Sequence, residues 1–340
     1  MKDFLGIDVG RGSIKIVALS KEAESLELRG IGETQTNNTD WTSGDNKQIK
    51  ELASDIKLLL RDMKLKDSFA AVSLPENEVI SRLVKLPPLK KNEIKEALRF
   101  EAETFVPYPL DEVSIDYDVV EEDEAGRLLV FAIAAKNNLI QYYLKLFKSV
   151  GVELLSLESS SLAIKRVANQ VVGTESHVLL MDIGEKYSSV VCLNKGQIYY
   201  TRTIPAGGES LTRSISVNLG LDMVSAEEYK KAYGMNPLEL EGKIKNAVLP
   251  VFNSIAEELR KTIVSYREEW QNSIGLLILS GGGANMPGFA EELTKVLGIE
   301  VQVMQPFLRV DTTKLVLPVD INSEGCRFAL AVGLAMRGLV

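Results

Sequence analysis

Two short stretches of this chain carry the residue types that hold a polyphosphate. The first is Gly6-Ile7-Asp8-Val9-Gly10-Arg11-Gly12-Ser13-Ile14-Lys15-Ile16-Val17, an apolar strand, a glycine turn with one acid before it, and a second apolar strand. Gly10 and Gly12 permit close backbone approach, so that successive N–H groups can point at one anion. Asp8 can orient the hydrated divalent ion that accompanies a polyphosphate. Alone, this motif equally fits an ordinary hairpin turn. The pattern returns, however, in Leu180-Met181-Asp182-Ile183-Gly184 followed by Ser188-Ser189-Val190-Val191-Cys192-Leu193. An internal repeat of this kind predicts two related lobes facing each other. A third glycine stretch, Ser280-Gly281-Gly282-Gly283-Ala284-Asn285-Met286-Pro287-Gly288-Phe289, follows a buried strand and opens a helix, a second place where backbone can approach a ligand.

Other chemistries are excluded by count. His177 is the single histidine, which removes histidine-based triads and zinc sites. Cys192 and Cys326 lie in apolar segments without a CxxC spacing and read as buried reduced thiols. At 340 residues the chain calls for two lobes, and 45% hydrophobic with 25% charged residues is ordinary for a globular protein. A net charge of −8 argues against nucleic acid as a partner. No run of about 18 apolar residues occurs and the N-terminus enters the first strand directly, so the expectation is a cytoplasmic protein without signal peptide or membrane span.

The elements that must position these residues follow from periodicity. Strands are expected at 3–9, 13–19 and 26–34, a loop at 35–46, a helix at 47–63 with Ile49, Leu52, Ala53, Ile56, Leu59 and Leu60 on one face, and a strand at 69–74. From Pro75 the texture changes: a strand at 80–86, a helix at 90–105, strands at 113–120 and 128–135, and a helix at 137–150 stopped by Gly151. A strand at 152–157 and a helix at 161–168 rejoin the first lobe. The second lobe adds a hairpin turned by Gly196 and Gln197, helices at 209–219, 225–233 and 243–269, a strand at 276–279, and a closing small-residue helix at 325–338. The expected organisation is therefore a first lobe at 1–74 and 151–172, an inserted α+β unit at 75–150, a second lobe at 173–325 and a connecting helix at 326–340.

This order resembles the actin-like ATPase superfamily, an α/β fold of two duplicated ribonuclease-H-like lobes, and the resemblance covers essentially the whole chain. Asp8 to Lys15 looks like the first phosphate motif, Asp182 to Ser189 the second, and Ser280 to Phe289 the adenosine motif. Ser161 to Ala168 and Arg327 to Arg337 resemble the connecting helices. Ala226-Glu227-Glu228-Tyr229-Lys230 resembles a bacterial actin signature in which the Glu holds ribose hydroxyls and the Lys lies against adenine; its plain alternative is an exposed helix with ordinary charge pairs. The resemblance implies ATP and Mg2+ as cofactors. It places Asp8, Gly10, Arg11, Gly12, Ser13, Lys15, Asp182, Gly184, Ser188, Glu227, Lys230, Gly281, Gly282, Gly283 and Asn285 at the nucleotide, with Asp8 and Asp182 holding the metal through water.

The inserted unit is similar to the SHS2-like subdomain of the FtsA branch, and Lys85-Leu86-Pro87-Pro88-Leu89, with Phe100-Glu101-Ala102-Glu103 before Phe105-Val106-Pro107, resembles the PilM family of that branch. FtsA ends in a linker and an amphipathic membrane helix, whereas this chain stops after the second connecting helix, so no direct membrane insertion is expected. The resemblance implies an ATP-binding scaffold of the type IV pilus inner-membrane assembly complex with at most slow ATPase activity. It implies recruitment by the cytoplasmic N-terminal peptide of PilN, with the assembly ATPase, the platform protein or a second copy as further partners. The apolar residues at 86–89 and 105–107 are expected to seat that peptide, or else to fill the unit's own core. A sugar-kinase-like enzyme and an FtsA-like division ATPase are the alternatives.

Two departures concern the turns themselves. Arg11 stands where relatives often carry a small hydroxyl, and Glu185 is an acid in the second turn that repels phosphate if it points inward. Glu158, in Leu157-Glu158-Ser159-Ser160, matches the place of a water-positioning catalytic residue; otherwise it is a surface acid at a helix start.

Overall fold

The computed structural model describes residues 3–22, 25–36, 46–65, 69–174 and 177–339. The first sheet is built from β1 (Phe4–Val9), β2 (Ser13–Glu22), β3 (Ser25–Gln35) and β4 (Phe69–Leu74), with helix α1 (Asn46–Asp62) between β3 and β4. Most of the loop expected at 35–46 lies outside the described residues. The inserted segment contributes β5 (Val79–Leu86), α2 (Ile94–Ala102), β6 (Val113–Glu122), β7 (Leu128–Lys136) and α3 (Asn137–Val150). Next come β8 (Glu153–Ser159) and α4 (Ser160–Val172). The second half runs β9 (Val178–Ile183), β10 (Ser188–Asn194), β11 (Gln197–Ile204), α5 (Gly208–Leu219), α6 (Met223–Tyr233), α7 (Lys243–Trp270), β12 (Leu276–Ser280), α8 (Phe289–Leu297) and β13 (Glu300–Val303). It closes with β14 (Val310–Asp311), α9 (Ile321–Glu324) and α10 (Ala329–Ala335).

The strand orders show the duplication directly. The first sheet is ordered β14-β3-β2-β1-β4-β8 and the second β11-β10-β9-β12-β13. In each, an antiparallel three-strand meander is extended by two parallel strands beside its first member. The inner parallel strands β4 and β12 are buried along nearly their whole length and read as near-continuous apolar runs, whereas the outer strands β8 and β13 are partly exposed. Helices α4 and α10 lie between the sheets in one shared core with residues of both lobes, including Val17, Leu28, Val167, Leu180, Val191 and Val332. Gly6 on β1 lets α10 approach so closely that a Cβ there would overlap the Ala331 carbonyl.

Three expectations shift. Helix α3, expected within the inserted unit, places Leu139, Tyr143, Leu146, Phe147 and Val150 in the first lobe's outer core beside α1 and the sheet residues Leu5, Ile7 and Val72. Its apolar face matches that sheet, which leaves β5, α2, β6 and β7 as the inserted sheet-and-helix unit, with β7 between two antiparallel neighbours. Within this unit Leu86 and Val106 are buried and Leu89 and Phe105 pack against them, filling its small core instead of forming an outward pocket. Helix α2 is shorter than the periodicity suggests, and the closing helix is a short α-helical piece flanked by 3-10 turns at Gly325–Phe328 and Met336–Gly338.

Candidate functional site

The two acid-glycine turns fold alike. Val9 pairs with Ile14 and Ile183 with Ser188, and each hairpin is closed by its glycine N–H: Gly10 to the Ser13 carbonyl at 3.0 Å, Gly184 to the Tyr187 carbonyl at 3.1 Å. A Cβ on Gly10 would lie 2.8 Å from that Ser13 oxygen and one on Gly184 2.9 Å from that of Tyr187, so both turns need glycine at the same place for the same steric reason. The turns also touch each other. The Glu185 carboxylate lies 3.1–3.2 Å from where a Cβ of Gly12 would stand, and the Arg11 guanidinium sits 5.9 Å from the centre of the Tyr187 ring. The second turn is further braced by the start of α5, where Gly208 and Glu209 N–H groups donate to the Gly184 and Glu185 carbonyls at 2.9 and 2.8 Å.

Asp8 and Asp182 stand at equivalent places near the ends of β1 and β9, in opposite lobes. Burial pushes the Asp8 carboxyl up to about 6, against the pull of Lys15, and Asp182 adds to the rise. Asp182 is raised by burial too, opposed by the Ser280 hydroxyl, which donates to its Oδ1 at 2.8 Å, and by Lys15. Lys15 is thus the cation that both acids feel. It pairs across the sheet with Asp8, donates to Ser13 Oγ at 2.7 Å and lies 3.6 Å from Glu33. Two desolvated carboxylates acting on each other, with one ammonium beside them, are an arrangement that a divalent cation relieves. Among the described residues no group of three or more metal-ligating side chains exists. Mg2+ usually keeps several of its waters and takes one or two carboxylates plus phosphate oxygens, a demand that Asp8 and Asp182 could meet. The fit is therefore to a metal that arrives with its ligand.

The third glycine stretch leaves β12 beside these acids, because Ser280 is the register partner of Asp182. A Cβ on Gly281, whose φ is 81°, would lie 2.5 Å from the Ile183 carbonyl, and one on Gly283 would overlap the Ile183 side chain. Gly282 alone faces open space. Asn285 accepts from the Cys326 thiol at 2.8 Å, tying this loop to the segment before α10; burial raises that thiol to about 12, so it stays neutral. Ser188, expected at the nucleotide, spends its hydroxyl on the Ala206 carbonyl at 2.7 Å and sits behind the turn.

Glu227 and Lys230 bind one another at 2.6 Å. Lys230 is buried, also donating to the Gly208 carbonyl at 3.1 Å and to Thr212 Oγ1 at 2.8 Å, and burial lowers its pKa. The pair is thereby brought next to the second turn, yet the Lys230 ammonium is held by protein groups. Glu227 also accepts from Thr212 and lies 3.3 Å from the exposed Lys231.

Glu158 is neither exposed nor free. It is 6% accessible, and Arg166 on α4 grips both its oxygens at 3.0 and 2.9 Å while also donating to the Gly333 carbonyl; Arg337 stands 3.7 Å away. The surface-acid reading is overturned, since β8 is covered here by α4 and α10. A residue that the sequence does not single out, Glu76, takes the start of α4. It accepts from the Ser160 hydroxyl at 2.9 Å and from the Ser161 hydroxyl and N–H at 2.6 and 3.2 Å. Glu76 carries no local signal, because its partners on α4 lie 84 and 85 residues along the chain.

The sequence pattern of the family described as Type IV pilus assembly protein PilM matches residues 6–339. The cell division protein FtsA of Bacillus subtilis (strain 168) is 24% identical over 227 residues, 59% of this chain and 50% of FtsA, so the chain spans about half the length of that curated relative. Among solved structures, the PilM-PilN type IV pilus biogenesis complex aligns with a TM-score of 0.87 and 27% identity, covering 99% of this chain and 98% of that one. MreB5 of Spiroplasma citri bound to AMPPNP aligns with a TM-score of 0.56 at 13% identity over 98% and 95% of the two chains, a likeness of fold. The expected two-lobed actin-like ATPase fold and the FtsA-like branch are therefore found. No helix among the described residues is long and apolar enough to cross a membrane. With the family pattern running almost from end to end over the same frame, the chain belongs to the type IV pilus assembly protein PilM family.

Proposed function

We propose that this protein is an ATP-binding, actin-like scaffold of a type IV pilus inner-membrane assembly complex, in which Mg-ATP lies between the lobes and a PilN-type membrane partner recruits the protein. The observation that carries the nucleotide reading is the equivalence of the two turns, with Asp182 acting on Asp8 from the opposite lobe and both acids sharing the field of Lys15. Gly10, Gly12 and Gly184 then present backbone to the phosphates, and Gly282 offers open backbone to the adenosine end. Arg11 and Ser13 belong to the same turn, and the metal supplies the charge that lets phosphate sit beside the two acids. The likeness to the PilM-PilN complex carries the partner reading. The inserted unit suits that role: β6 is an edge strand, which leaves a row of its backbone groups free of a strand partner within the sheet, and Phe100 on α2 is 73% exposed.

Calorimetry of the full chain tests both halves. Mg-ATP should bind saturably, and Asp8→Ala, Asp182→Ala or Gly282→Val should weaken it about tenfold or more while the fold is kept. A peptide from the cytoplasmic N-terminus of the PilN-type partner should bind the wild type and lose affinity with Phe100→Asp. Unchanged nucleotide affinity in all three variants would remove the cleft assignment, and a partner peptide that does not bind would remove the recruitment reading.

A further inference from the structure

Glu185 is the one turn residue whose chemistry opposes the ligand that the turns are shaped for. Its main chain is pinned, since its carbonyl accepts from Glu209 N–H at 2.8 Å and the neighbouring Gly184 carbonyl from Gly208 N–H at 2.9 Å. Only the side chain is free to choose a direction, and it crosses to the other lobe and lies over Gly12. There its Oε2 is buried and accepts no hydrogen bond from any described residue. Arg11, the nearest cation of the opposite turn, is drawn over the Tyr187 ring instead of forming an ion pair with it. A carboxylate held against a glycine with one unsatisfied oxygen is in a poor position for its own sake. Burial and then Glu209 raise its pKa, Lys186 lowers it, Glu227 raises it and Arg11 lowers it, so the groups around it do not stabilise the charge on balance.

We propose that Glu185 is a built-in gate on the polyphosphate site: its carboxylate occupies the space between Gly12 and the second turn, and a di- or triphosphate must swing it out to be held by both turns. The proposal rests on the nucleotide reading above and adds to it the residue that sets polyphosphate affinity. Like charges cannot share that space without a large penalty, and the cheapest relief is a side-chain rotation, because the backbone is tied to α5. The gate acts on the phosphates alone, since the adenosine end is approached from the Gly281–Gly283 side. It also couples the lobes, because the same side chain that blocks phosphate spans from the second lobe to the first.

The test compares the full-length wild type with Glu185→Gln and Glu185→Ala, titrated with Mg-ATP, Mg-ADP and adenosine. Both variants should bind Mg-ATP and Mg-ADP about tenfold more tightly and adenosine within about twofold of wild type. Their melting temperatures should equal or exceed that of the wild type, because no hydrogen bond to Oε2 is lost; glutamine keeps the shape if alanine perturbs the turn. Equal affinity of wild type and variants for Mg-ATP overturns the gate alone. Weaker Mg-ATP binding in both variants overturns it in favour of a carboxylate that helps to hold the metal. Failure of every protein to bind any of the three ligands overturns the nucleotide reading itself.

Discussion

Asp8 shows how burial and function compete in a single side chain. Its ordinary value is 3.8 and burial lifts it to about 6, so the folded protein binds this proton more tightly than the unfolded chain does. The sign follows: the carboxylate adds no cost below about pH 4, and the cost grows as pH rises through 6 and is complete above it. Asp8→Asn should therefore raise the stability of the nucleotide-free protein at pH 7.5 by of order 3 kcal/mol, and its melting temperature with it, with the gain vanishing toward pH 4. An equal gain at both pH values would place the cause elsewhere. Glu158 is the opposite case, a carboxylate fully matched by Arg166. Removing Arg166 takes both close hydrogen bonds from a buried carboxylate and leaves it only the half-exposed Arg337 at 3.7 Å, so Arg166→Ala should cost about 3 kcal/mol in denaturant unfolding. Should it cost less than 1 kcal/mol, water reaches this pair and Glu158 regains room for a role at the nucleotide.

Helix α3 follows β7 without a break, yet it packs elsewhere. Its buried face, Leu139, Tyr143, Leu146 and Phe147, completes the outer layer of the first lobe, and Gly151, at φ 84°, ends it so that β8 can re-enter the first sheet. Val79 and Ala135 are direct antiparallel partners, so the chain enters and leaves the inserted unit at one point. A variant lacking residues 80–134, rejoined by a short turn, should retain a cooperatively folded two-lobed core that still binds Mg-ATP. Extending the deletion through residue 150 should abolish soluble expression, because it strips the first lobe of this layer. Far-UV circular dichroism and thermal melts distinguish the two; similar behaviour of both deletions would contradict the packing described here.

The whole molecule is held as one body by α4 and α10 between the sheets and by the docking of the inserted unit onto the second lobe. Tyr199 donates to Glu121 at 2.7 Å, the Ser81 and Thr201 hydroxyls lie 2.6 Å apart, and the Lys85 ammonium sits 5.5 Å from the centre of the Trp270 ring. Leu83 and Val120 reach the cores of the lobes, so the unit is seated by apolar contact and registered by these polar ones. Glu121→Ala leaves the Tyr199 hydroxyl without its acceptor. Hydrogen exchange should then speed up several-fold in β6 and β7 while the amides of β1 and β4 stay protected. Unaltered exchange in β6 would mean that the apolar seat suffices.

Several features of this protein were legible in sequence because their physics is local. An acid, a glycine and two apolar strands specify a hairpin by steric permission alone, and the repeat at Asp8 and Asp182 carries over into two sheets of the same strand order. The amphipathic period of α1 and the buried cysteines were readable for the same reason. What lay beyond the sequence were the meetings of residues far apart in the chain. Arg166 is eight residues from Glu158, but the cover that buries the pair comes partly from α10, and Glu76 reaches α4 across the whole inserted unit. The apolar residues around the prolines at 87, 88 and 107 have the same composition whether they face a partner or one another; only their packing in three dimensions assigns them to the unit's own core. Glu185 was visible as an acid in a phosphate turn, and its direction was decided by the tertiary structure, because the space over Gly12 exists only once the two lobes face each other.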